Sequence, residues 1–352
     1  MTNSNPGLKV VIATPLSEEL CTLIERLEPR VRLLRDQSLL PPMRWVGDHG
    51  GDPRWSRTPA QQSRFDALVD SAQALYGIPD ESPAALARTA AANPDLRWVH
   101  TMAAGGGGQV KAAALPAAVL DRLVLTSSAG VHAQSLSEFA LFGVLAGAKS
   151  LPRLASQKAA GVWSNRWIMG QLSEQTVLVI GLGTIGRRTA SALSGLGVTV
   201  WGTSRHETQV DGVTRIVRPS ELAEVVGQVD AIVVTLPGTE STVHLVDAAL
   251  LAHVTPGTTL VSVGRGTVID EEALVDALED GRIGFAALDV FASEPLASDS
   301  ALWSLPNVVI SPHTAALTSA EDRLIAELFA SNATRLLDGE PLINPINKHE
   351  FY

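Results

Sequence analysis

The stretch from 176 to 205 constrains the fold of this chain more than any other. A run of β-branched and apolar residues, Thr176–Ile180, leads directly into the hexapeptide GLGTIG at 181–186, and a helical pattern follows at once. A second apolar run, Val198–Thr203, comes next. A strand, a glycine turn, a helix and a second strand in this order are the fingerprint of a βαβ unit that binds a dinucleotide. The sequence therefore predicts an α/β fold with a bound dinucleotide.

Each glycine of the hexapeptide has its own expected role. Gly181 permits the tight turn, Gly183 lets the backbone approach the pyrophosphate, and Gly186 lets the helix pack closely on the strand. The pyrophosphate would then lie on backbone N–H groups at the helix N-terminus, where the helix dipole favours anions. A purely structural glycine turn is the alternative, and the flanking strand and helix weigh against it.

The end of the second strand indicates which dinucleotide is bound. NAD sites usually place Asp or Glu there to bind the ribose hydroxyls. Here Ser204 occupies the position and Arg205 follows it. No carboxylate repels a 2′-phosphate, and a guanidinium is present to bind one. We expect a preference for NADP, with NAD as the weaker cofactor. The alternative is a solvated arginine on a site that accepts NAD.

The composition excludes several classes of function. The chain has 352 residues, enough for two domains, and its net charge of -10 argues against nucleic acid or an anionic membrane as a partner. Its one cysteine, Cys21, excludes an intramolecular disulfide and is expected to be a buried small hydrophobe. The N-terminus lacks a secretory leader pattern, and no apolar run reaches the ~18 residues of a spanning helix. We expect a cytoplasmic protein.

Strand and helix patterns alternate along the chain. The first third contains the helical pattern Ser17–Leu27 and five strand candidates: Leu8–Ala13, Val31–Leu34, Ala74–Ile78, Leu96–Met102 and Leu123–Ser127. Further strands are predicted after the glycine hexapeptide at Ala231–Leu236, Thr259–Val263, Gly284–Val290 and Val308–Ile310. This alternation predicts parallel, doubly wound sheets. Two long helices, Ser137–Lys149 and Ser319–Leu337, are expected to cross between two domains. The segment Leu40–Gln62 interrupts the alternation and is interpreted as a long loop, either functional or a surface insertion.

Three isolated polar residues follow predicted strands of the second half. They are Arg265, Glu294 and His313. In an open α/β sheet the ligand binds outside the carboxyl ends of the strands. A histidine could give a proton to a carbonyl that accepts hydride, a glutamate could stabilise the imidazolium, and an arginine could hold a carboxylate. Taken singly, each has an ordinary alternative: a solvated loop arginine, a Glu-Pro turn, and a histidine that caps a neighbouring backbone group.

Five segments, matching in order and spacing, carry a resemblance to a known family. They are GLGTIG at 181–186, TLPGTEST at 235–242, GRGTVIDEEAL at 264–274, ALDVFASEP at 287–295 and SPHTAALT at 311–318. From 134 to about 318 the chain resembles the D-isomer-specific 2-hydroxyacid dehydrogenase family. The resemblance implies that Arg265 binds the substrate carboxyl and carbonyl groups. It also implies that His313, paired with Glu294, is the proton donor and acceptor.

The resemblance implies cofactor contacts and a fold as well. Asp289 matches an aspartate that contacts the nicotinamide amide, and a strand-end capping role is the alternative. The other implied contacts are those of Thr184, Ile185, Ser204, Leu236, Pro237, Thr242, Val263 and Gly264. The implied fold is a flavodoxin-like substrate domain, residues 1–128 plus 319–352, and a Rossmann cofactor domain, residues 129–318, with a cleft between them.

The first domain resembles the family more weakly. Its clearest match is the loop TMAAGGGG at 101–108, where the family has a shorter loop whose amides hold the substrate carboxylate. Ala104, Gly105 and Gly106 are the matching residues, and small residues after a strand can form an anion-binding nest. A flexible turn is the alternative. The extra glycines depart from the family pattern, as does Ser262, which stands where many relatives have Asn.

The predicted reaction is hydride transfer from NADPH to C2 of a small 2-keto acid such as glyoxylate or hydroxypyruvate. We find no metal-binding spacing. Relatives imply a homodimer through the cofactor domain, with the apolar helix around 139–148 as a candidate contact. Three alternatives stay open. The protein could reduce a bulky 2-keto acid, or it could oxidise 3-phosphoglycerate as an enzyme that lacks the regulatory domain of many phosphoglycerate dehydrogenases. It could also be a non-catalytic scaffold that senses a dinucleotide.

Overall fold

The computed structural model describes residues 7–205 and 208–351, and the chain forms two compact units. The first unit comprises Met1–His132 and Leu317–Tyr352, and the second comprises Ala133–Ala316. Each is built on its own parallel β-sheet with helices, as the alternating pattern predicts. In the part of the chain that is described, no helix combines the length and the apolar character needed to cross a membrane.

The first unit contains a five-stranded parallel sheet with the order β2-β1-β3-β4-β5. Its strands are β1 (Leu8–Ile12), β2 (Val31–Leu34), β3 (Ala74–Tyr76), β4 (Trp98–Thr101) and β5 (Val124–Ser127). Its helices are α1 (Glu18–Leu27), α2 (Pro59–Val69), α3 (Pro83–Ala92), α4 (Gly107–Ala112), α5 (Ala117–Arg122) and, much later in the chain, α12 (Glu321–Asp338). All five predicted strands are confirmed. The strand predicted to end at 78 stops at Tyr76, because Gly77 turns the backbone with φ of +88°.

The core of this unit joins the sheet to α12. Phe329 of α12 stacks on Trp98 with ring centroids 4.4 Å apart, and its ring meets Tyr76 edge-on at 5.2 Å. All three rings are fully buried. Cys21 of α1 is also buried, as predicted. Large aromatic side chains contribute much of the apolar surface that a core removes from water, so α12 is an integral part of the first unit.

The loop predicted over Leu40–Gln62 is wrong at its end. Helix α2 begins at Pro59, and Thr58 and Gln61 form a capping box in which each side chain hydrogen-bonds the other residue's backbone N–H. Proline at the first helical position and a capping box are both helix-start signals. The segment from 40 to 58 is free of α-helix and strand.

The second unit contains a seven-stranded parallel sheet with the order β12-β11-β10-β9-β6-β7-β8. Its strands are β6 (Thr176–Ile180), β7 (Thr199–Thr203), β8 (Arg215–Val217), β9 (Ala231–Val234), β10 (Thr258–Ser262), β11 (Ile283–Leu288) and β12 (Val308–Ile310). Its helices are α6 (Ala133–Ala148), α7 (Leu151–Ala160), α8 (Thr184–Gly195), α9 (Leu222–Val225), α10 (Ala248–Leu251) and α11 (Glu271–Glu279).

The strand order reverses between β6 and β9. From β6 the chain continues outward to β7 and β8, then returns to β9 on the other side of β6 and continues to β12. Such a switch point opens a crevice at the carboxyl ends of the strands, where α/β proteins bind their ligands. The edge strand β8 was not predicted, because three residues carry too little alternation to be recognised.

Candidate active site

The glycine turn at the end of β6 is tied to the two neighbouring strands. Gly181 has φ of +105°, which only glycine adopts readily. Its N–H donates to Thr203 Oγ1 at 2.9 Å, and its carbonyl accepts from Thr235 Oγ1 at 2.7 Å. Thr203 ends β7 and Thr235 follows β9, so the turn is fixed at the switch point.

Two other glycines of the hexapeptide, Gly183 and Gly186, differ in how much room they leave for a side chain. A Cβ on Gly186 would lie 1.8 Å from the Gly181 carbonyl oxygen, so close packing there requires glycine. A Cβ on Gly183 would meet nothing within 4 Å. Helix α8 begins at the next residue, and Gly183 has no side chain to cap the amides of its first turn. The residues present therefore fit a dinucleotide phosphate at this helix N-terminus.

The other predicted cofactor contacts follow β9, β10 and β11 at the same sheet edge. Thr242 Oγ1 donates to the Pro237 carbonyl at 2.7 Å and accepts from Thr239 N, so it stabilises the loop after β9. A Cβ on Gly264 would lie 2.4 Å from the Leu236 carbonyl oxygen, so the loops after β9 and β10 pack directly together. Contact between these residues and a cofactor stays a prediction.

Two arginines lie close to the carboxyl ends of β7 and β8, the last two strands on one side of the sheet. Ser204 N donates to the Val217 carbonyl at 3.1 Å, which brings the ends of β7 and β8 side by side. Arg205 follows Ser204, Arg218 follows Val217, and both arginines are exposed. Arg218 was missed by the sequence analysis because β8 was missed.

The structure brings together His313 and Glu294, the two residues predicted to act as an acid/base pair. His313 Nδ1 lies 2.6 Å from Glu294 Oε2, and Glu294 Oε1 accepts from Phe291 N at 3.0 Å. One carboxylate oxygen of Glu294 is therefore bound by the backbone of the preceding turn, while the other orients the imidazole of His313. Nε2 is left as the ring nitrogen that does not face Glu294. Both side chains are partly exposed, His313 at 43% and Glu294 at 35%.

Arg265 lies at the end of a neighbouring strand of the same sheet. It follows β10, whereas Glu294 and His313 follow β11 and β12. Its side chain is exposed, and Nη1 donates to the Gly264 carbonyl at 2.8 Å. Three adjacent strand ends thus bring a guanidinium, a carboxylate and an imidazole to one sheet edge.

Asp289 holds the turn that carries His313. It is fully buried, and its Oδ1 accepts from Ser311 Oγ at 2.5 Å and from the amides of Thr314 and Ala315 at 3.0 Å each. His313 has φ of +55°, a conformation that costs energy for a residue with a side chain. Asp289 Oδ2 has no partner within the described residues. Oδ1 therefore binds the turn at 311–315. Oδ2 is left to accept a hydrogen bond from an amide N–H, and the nicotinamide amide is the predicted donor.

The glycine-rich loop of the first unit is partly helical. Gly106 has φ of −58° and ψ of −14°, in the right-handed helical region, and α4 begins at the next residue. Its N–H donates to the Ala103 carbonyl at 3.1 Å inside the turn. The Gly106 amide thus has a partner already. Ala104 and Gly105, both exposed, stay the predicted carboxylate donors of this loop.

A buried cluster of titratable residues in the first unit was not predicted. Glu321 Oε1 lies 3.0 Å from His132 Nε2 and 3.5 Å from His49 Nε2. Burial would raise the pKa of Glu321, but the hydrogen bond from His132 and the nearby charges of His132 and His49 lower it to about 2. Burial raises the pKa of the neighbouring Asp322. The described residues contain no group of three or more such side chains suited to a metal ion. No sequence signal links residues so far apart.

Comparison with known proteins identifies the family. Residues 141–315 match the family model described as D-isomer specific 2-hydroxyacid dehydrogenase, NAD binding domain. The glyoxylate/hydroxypyruvate reductase B of Yersinia enterocolitica is 33% identical over 230 residues, which are 64% of this chain and 71% of that protein. The enzyme of the same name from Yersinia pseudotuberculosis is 29% identical over 82% of this chain and 88% of its own length.

Solved structures extend the similarity to nearly the whole chain. A D-isomer specific 2-hydroxyacid dehydrogenase from Xanthobacter autotrophicus, crystallised with NADPH and MES, has 27% identity and a TM-score of 0.75, covering 99% of this chain and 100% of that one. A family protein from Aeromonas salmonicida has 27% identity and a TM-score of 0.76, covering 97% and 99%. This chain belongs to the D-isomer specific 2-hydroxyacid dehydrogenase family and is an NAD(P)-dependent oxidoreductase that acts on CH–OH donors.

Proposed function

We propose that this protein reduces a small 2-keto acid at C2 to the D-2-hydroxy acid, with NADPH as the preferred cofactor. The observation that carries this proposal is the 2.6 Å pair of His313 Nδ1 and Glu294 Oε2 at the ligand-binding edge of the sheet. A histidine whose second ring nitrogen is oriented by a carboxylate is the arrangement that proton transfer to a developing alkoxide requires.

The cofactor site accounts for the preference. When bound, the nicotinamide supplies the hydride. Gly181, Gly183 and Gly186 shape the phosphate turn, and Ser204 and Arg205 stand where NAD sites usually have a carboxylate. Arg218 adds a second cation at the same edge. The NADPH complex of the Xanthobacter relative supports this choice, and NAD is expected to bind more weakly.

Each catalytic residue has a distinct task. His313 donates a proton from Nε2 to the carbonyl oxygen as it becomes an alkoxide. Glu294 keeps the imidazole in orientation and stabilises its charged form. Arg265 binds the substrate carboxylate and polarises the carbonyl next to it. In the reverse direction His313 takes the proton from the hydroxyl group.

The substrates we expect are glyoxylate and hydroxypyruvate, because the curated relatives carry these names. In the first unit the exposed Ala104 and Gly105 are the expected backbone donors to the substrate carboxylate. The decisive test is NADPH and NADH oxidation by the purified protein with glyoxylate, hydroxypyruvate, pyruvate and bulkier 2-keto acids. Absence of turnover with all of them would refute the proposed activity.

We also propose a homodimer formed by the second unit. Trp163 is fully exposed and Ile168 is 98% exposed, in the irregular segment that follows α7. Phe142 of α6 is a further exposed aromatic residue of this unit. Large apolar side chains so fully exposed to water are typical of surfaces that another chain covers.

A further inference from the structure

A buried histidine of the first unit takes no part in the proposed chemistry. His100 lies in β4 and is fully buried. Its Nδ1 lies 2.8 Å from Thr126 Oγ1, and its Nε2 lies 3.1 Å from Ser128 Oγ. Thr126 Oγ1 also accepts from Trp98 Nε1 at 2.8 Å, and Ser128 Oγ donates to the Thr101 carbonyl at 3.1 Å. We call these five residues the His100 network.

The hydroxyl protons of the network allow only one tautomer of His100. A hydroxyl group has a single proton to donate. Ser128 gives its proton to the Thr101 carbonyl, so His100 Nε2 must carry the proton of the bond that it shares with Ser128. Burial lowers the pKa of His100 to about 3, which leaves the ring neutral, so Nδ1 accepts from Thr126. Every bond of the network then points the same way, from the Trp98 indole to the Thr101 carbonyl.

The network ends on the residue that opens the glycine-rich loop at 101–108. Thr101 is the last residue of β4, and its Oγ1 donates to the Ala103 carbonyl at 3.2 Å. A Cβ on Gly106 would lie 1.9 Å from the same Oγ1, so the Thr101 side chain packs against the residue from which α4 begins. Ala104 and Gly105 lie between these two contacts and are exposed. Thr101 thus contacts both ends of the segment predicted to hold the substrate carboxylate.

We propose that the His100 network positions the glycine-rich loop for the substrate carboxylate, with His100 as a positioning residue that does not touch the substrate. The proposal rests on the proposed function, which assigns the carboxylate to the amides of Ala104 and Gly105. Amides bind an anion tightly when their backbone already has the binding geometry, and glycines lose much conformational freedom when they are fixed. The hydrogen bond from Ser128 to the Thr101 carbonyl fixes the start of the loop from the buried side.

A network that only stabilises the core is the competing explanation. The His100 ring meets Phe329 of α12 edge-on, with centroids 5.7 Å apart, so the residue also belongs to the aromatic core. The two roles predict different results. Loss of core packing lowers the midpoint of thermal unfolding and leaves the affinity of the folded protein for its substrate unchanged. Loss of positioning weakens the binding of the carboxylate.

Two amide substitutions at His100 separate these roles. Both remove the ring from the core. The amide of His100→Gln is long enough to donate to Ser128 from the place of Nε2, whereas His100→Asn, one methylene group shorter, reaches only Thr126. We expect His100→Asn to raise the KM for glyoxylate and hydroxypyruvate about fivefold to tenfold, on the order of one hydrogen bond. The kcat should change less than about twofold, because the carboxylate is bound equally in the ground state and the transition state. In His100→Gln the KM should stay near the wild-type value.

A milder variant keeps the test valid if the His100 variants are unstable. Ser128→Ala leaves the ring in place and removes only the last bond of the network, and it should raise the KM as His100→Asn does. Ser137→Ala is the matched control, since this buried serine of α6 donates to the Gln134 carbonyl at 2.7 Å and should leave the KM unchanged. A wild-type KM in Ser128→Ala, or an equal rise in His100→Gln and His100→Asn, would overturn the proposal.

A binding measurement separates this proposal from the proposed function. Oxamate is an unreactive analogue of a 2-keto acid, and calorimetry with the NADPH-loaded protein measures its Kd without turnover. Weaker binding in His100→Asn that His100→Gln restores supports the positioning role even if no 2-keto acid is reduced. An equal Kd in the wild type and both variants contradicts it even if reduction is fast, and so does a wild-type protein that does not bind oxamate.

Nitrogen-15 NMR of the histidine rings tests the direction of the bonds. The signals that disappear in His100→Gln belong to His100. We expect a neutral ring with the proton on Nε2. A ring that carries its proton on Nδ1, or on both nitrogens, would contradict the arrangement that links Trp98 to the Thr101 carbonyl and would overturn the proposal.

Discussion

Asp289 Oδ1 accepts a hydrogen bond from Ser311 Oγ at 2.5 Å, and the same oxygen binds the backbone amides of Thr314 and Ala315. These contacts lie on both sides of His313. The imidazole orientation therefore depends on a carboxylate 24 residues earlier in the chain, at the end of a different strand. In the proposed reaction His313 is the proton donor, and proton transfer tolerates little displacement of the donor, so we expect these contacts of Asp289 to affect the rate.

Removing these contacts should slow catalysis. Asp289→Ala is expected to lower kcat by about 10-fold to 100-fold, because His313 loses the bonds that hold its left-handed backbone conformation. Ser311→Ala removes one bond of three and should cost only a few-fold. Steady-state kinetics with the Kd for NADPH measured in parallel distinguish this from weakened cofactor binding. An unchanged kcat in Asp289→Ala would contradict the positioning role.

Loss of the imidazole should have the largest effect. His313→Ala is expected to lower kcat by ~10²–10⁴. Glu294→Gln keeps the size of the partner but removes the charge that stabilises the imidazolium, so a smaller loss is expected. Nearly normal turnover in His313→Ala would remove this residue from the acid/base role. Far-ultraviolet circular dichroism serves as the control for folding.

The cofactor preference should depend on Arg205. Arg205→Ala is expected to raise the Kd for NADPH about tenfold or more while the Kd for NADH changes little, since only NADPH carries the 2′-phosphate. Arg215→Ala is the matched control, because that guanidinium lies over the Trp201 ring, 4.6 Å from its centroid. Equal losses for both cofactors would show that Arg205 does not bind the 2′-phosphate.

Acid should weaken the cluster around Glu321. The pKa of this carboxyl group is lowered from 4.5 to about 2 in the folded protein. Its contribution to stability is therefore complete above about pH 4.5 and is lost as the pH falls toward 2. Glu321→Gln should cost about 3 kcal/mol near pH 6 and progressively less below pH 4.5.

Thermal unfolding at a series of pH values measures this difference. The exposed Glu340→Gln serves as a control, with little expected effect at any pH. A gap between the wild type and Glu321→Gln that stayed constant from pH 6 to pH 3 would contradict the role of the ionised carboxylate.

The proposed dimer should depend on the exposed segment after α7. Trp163→Ser is expected to shift the solution mass from dimer toward monomer, because the apolar contact area falls sharply. Light scattering coupled to gel filtration measures this mass. Trp303→Ser, at another exposed tryptophan of the same unit, should leave it unchanged. A wild-type protein that is monomeric would refute the proposal outright.

Residues close together in sequence were the ones that could be predicted. The glycine turn, Arg205 and the residues that follow strands in the second unit lie within short motifs, so pattern and chemistry suffice to place them at one sheet edge. The pairing of His313 with Glu294 was predicted from the family resemblance, and the two side chains lie 2.6 Å apart in the structure. The strand Arg215–Val217, only three residues long, escaped recognition, and Arg218 with it.

Long-range contacts could not be predicted in this way. The packing of Gly47 and His49 on Glu321 joins residues more than 270 positions apart, and no periodicity encodes it. The three bonds of Asp289 Oδ1 also required the backbone path of the 311–315 turn. Tertiary packing, rather than local preference, decides both.

The stacking of Phe329 on Trp98 has a consequence for biosynthesis. During translation the contiguous second unit emerges from the ribosome whole, whereas the first unit lacks a central piece of its core until the last helix has been made. We therefore expect the second unit to fold before the first, the reverse of the order in which they are synthesised. Until α12 is made, more than 200 codons after Trp98, the core of the first unit is incomplete, and its strands are expected to need protection by chaperones.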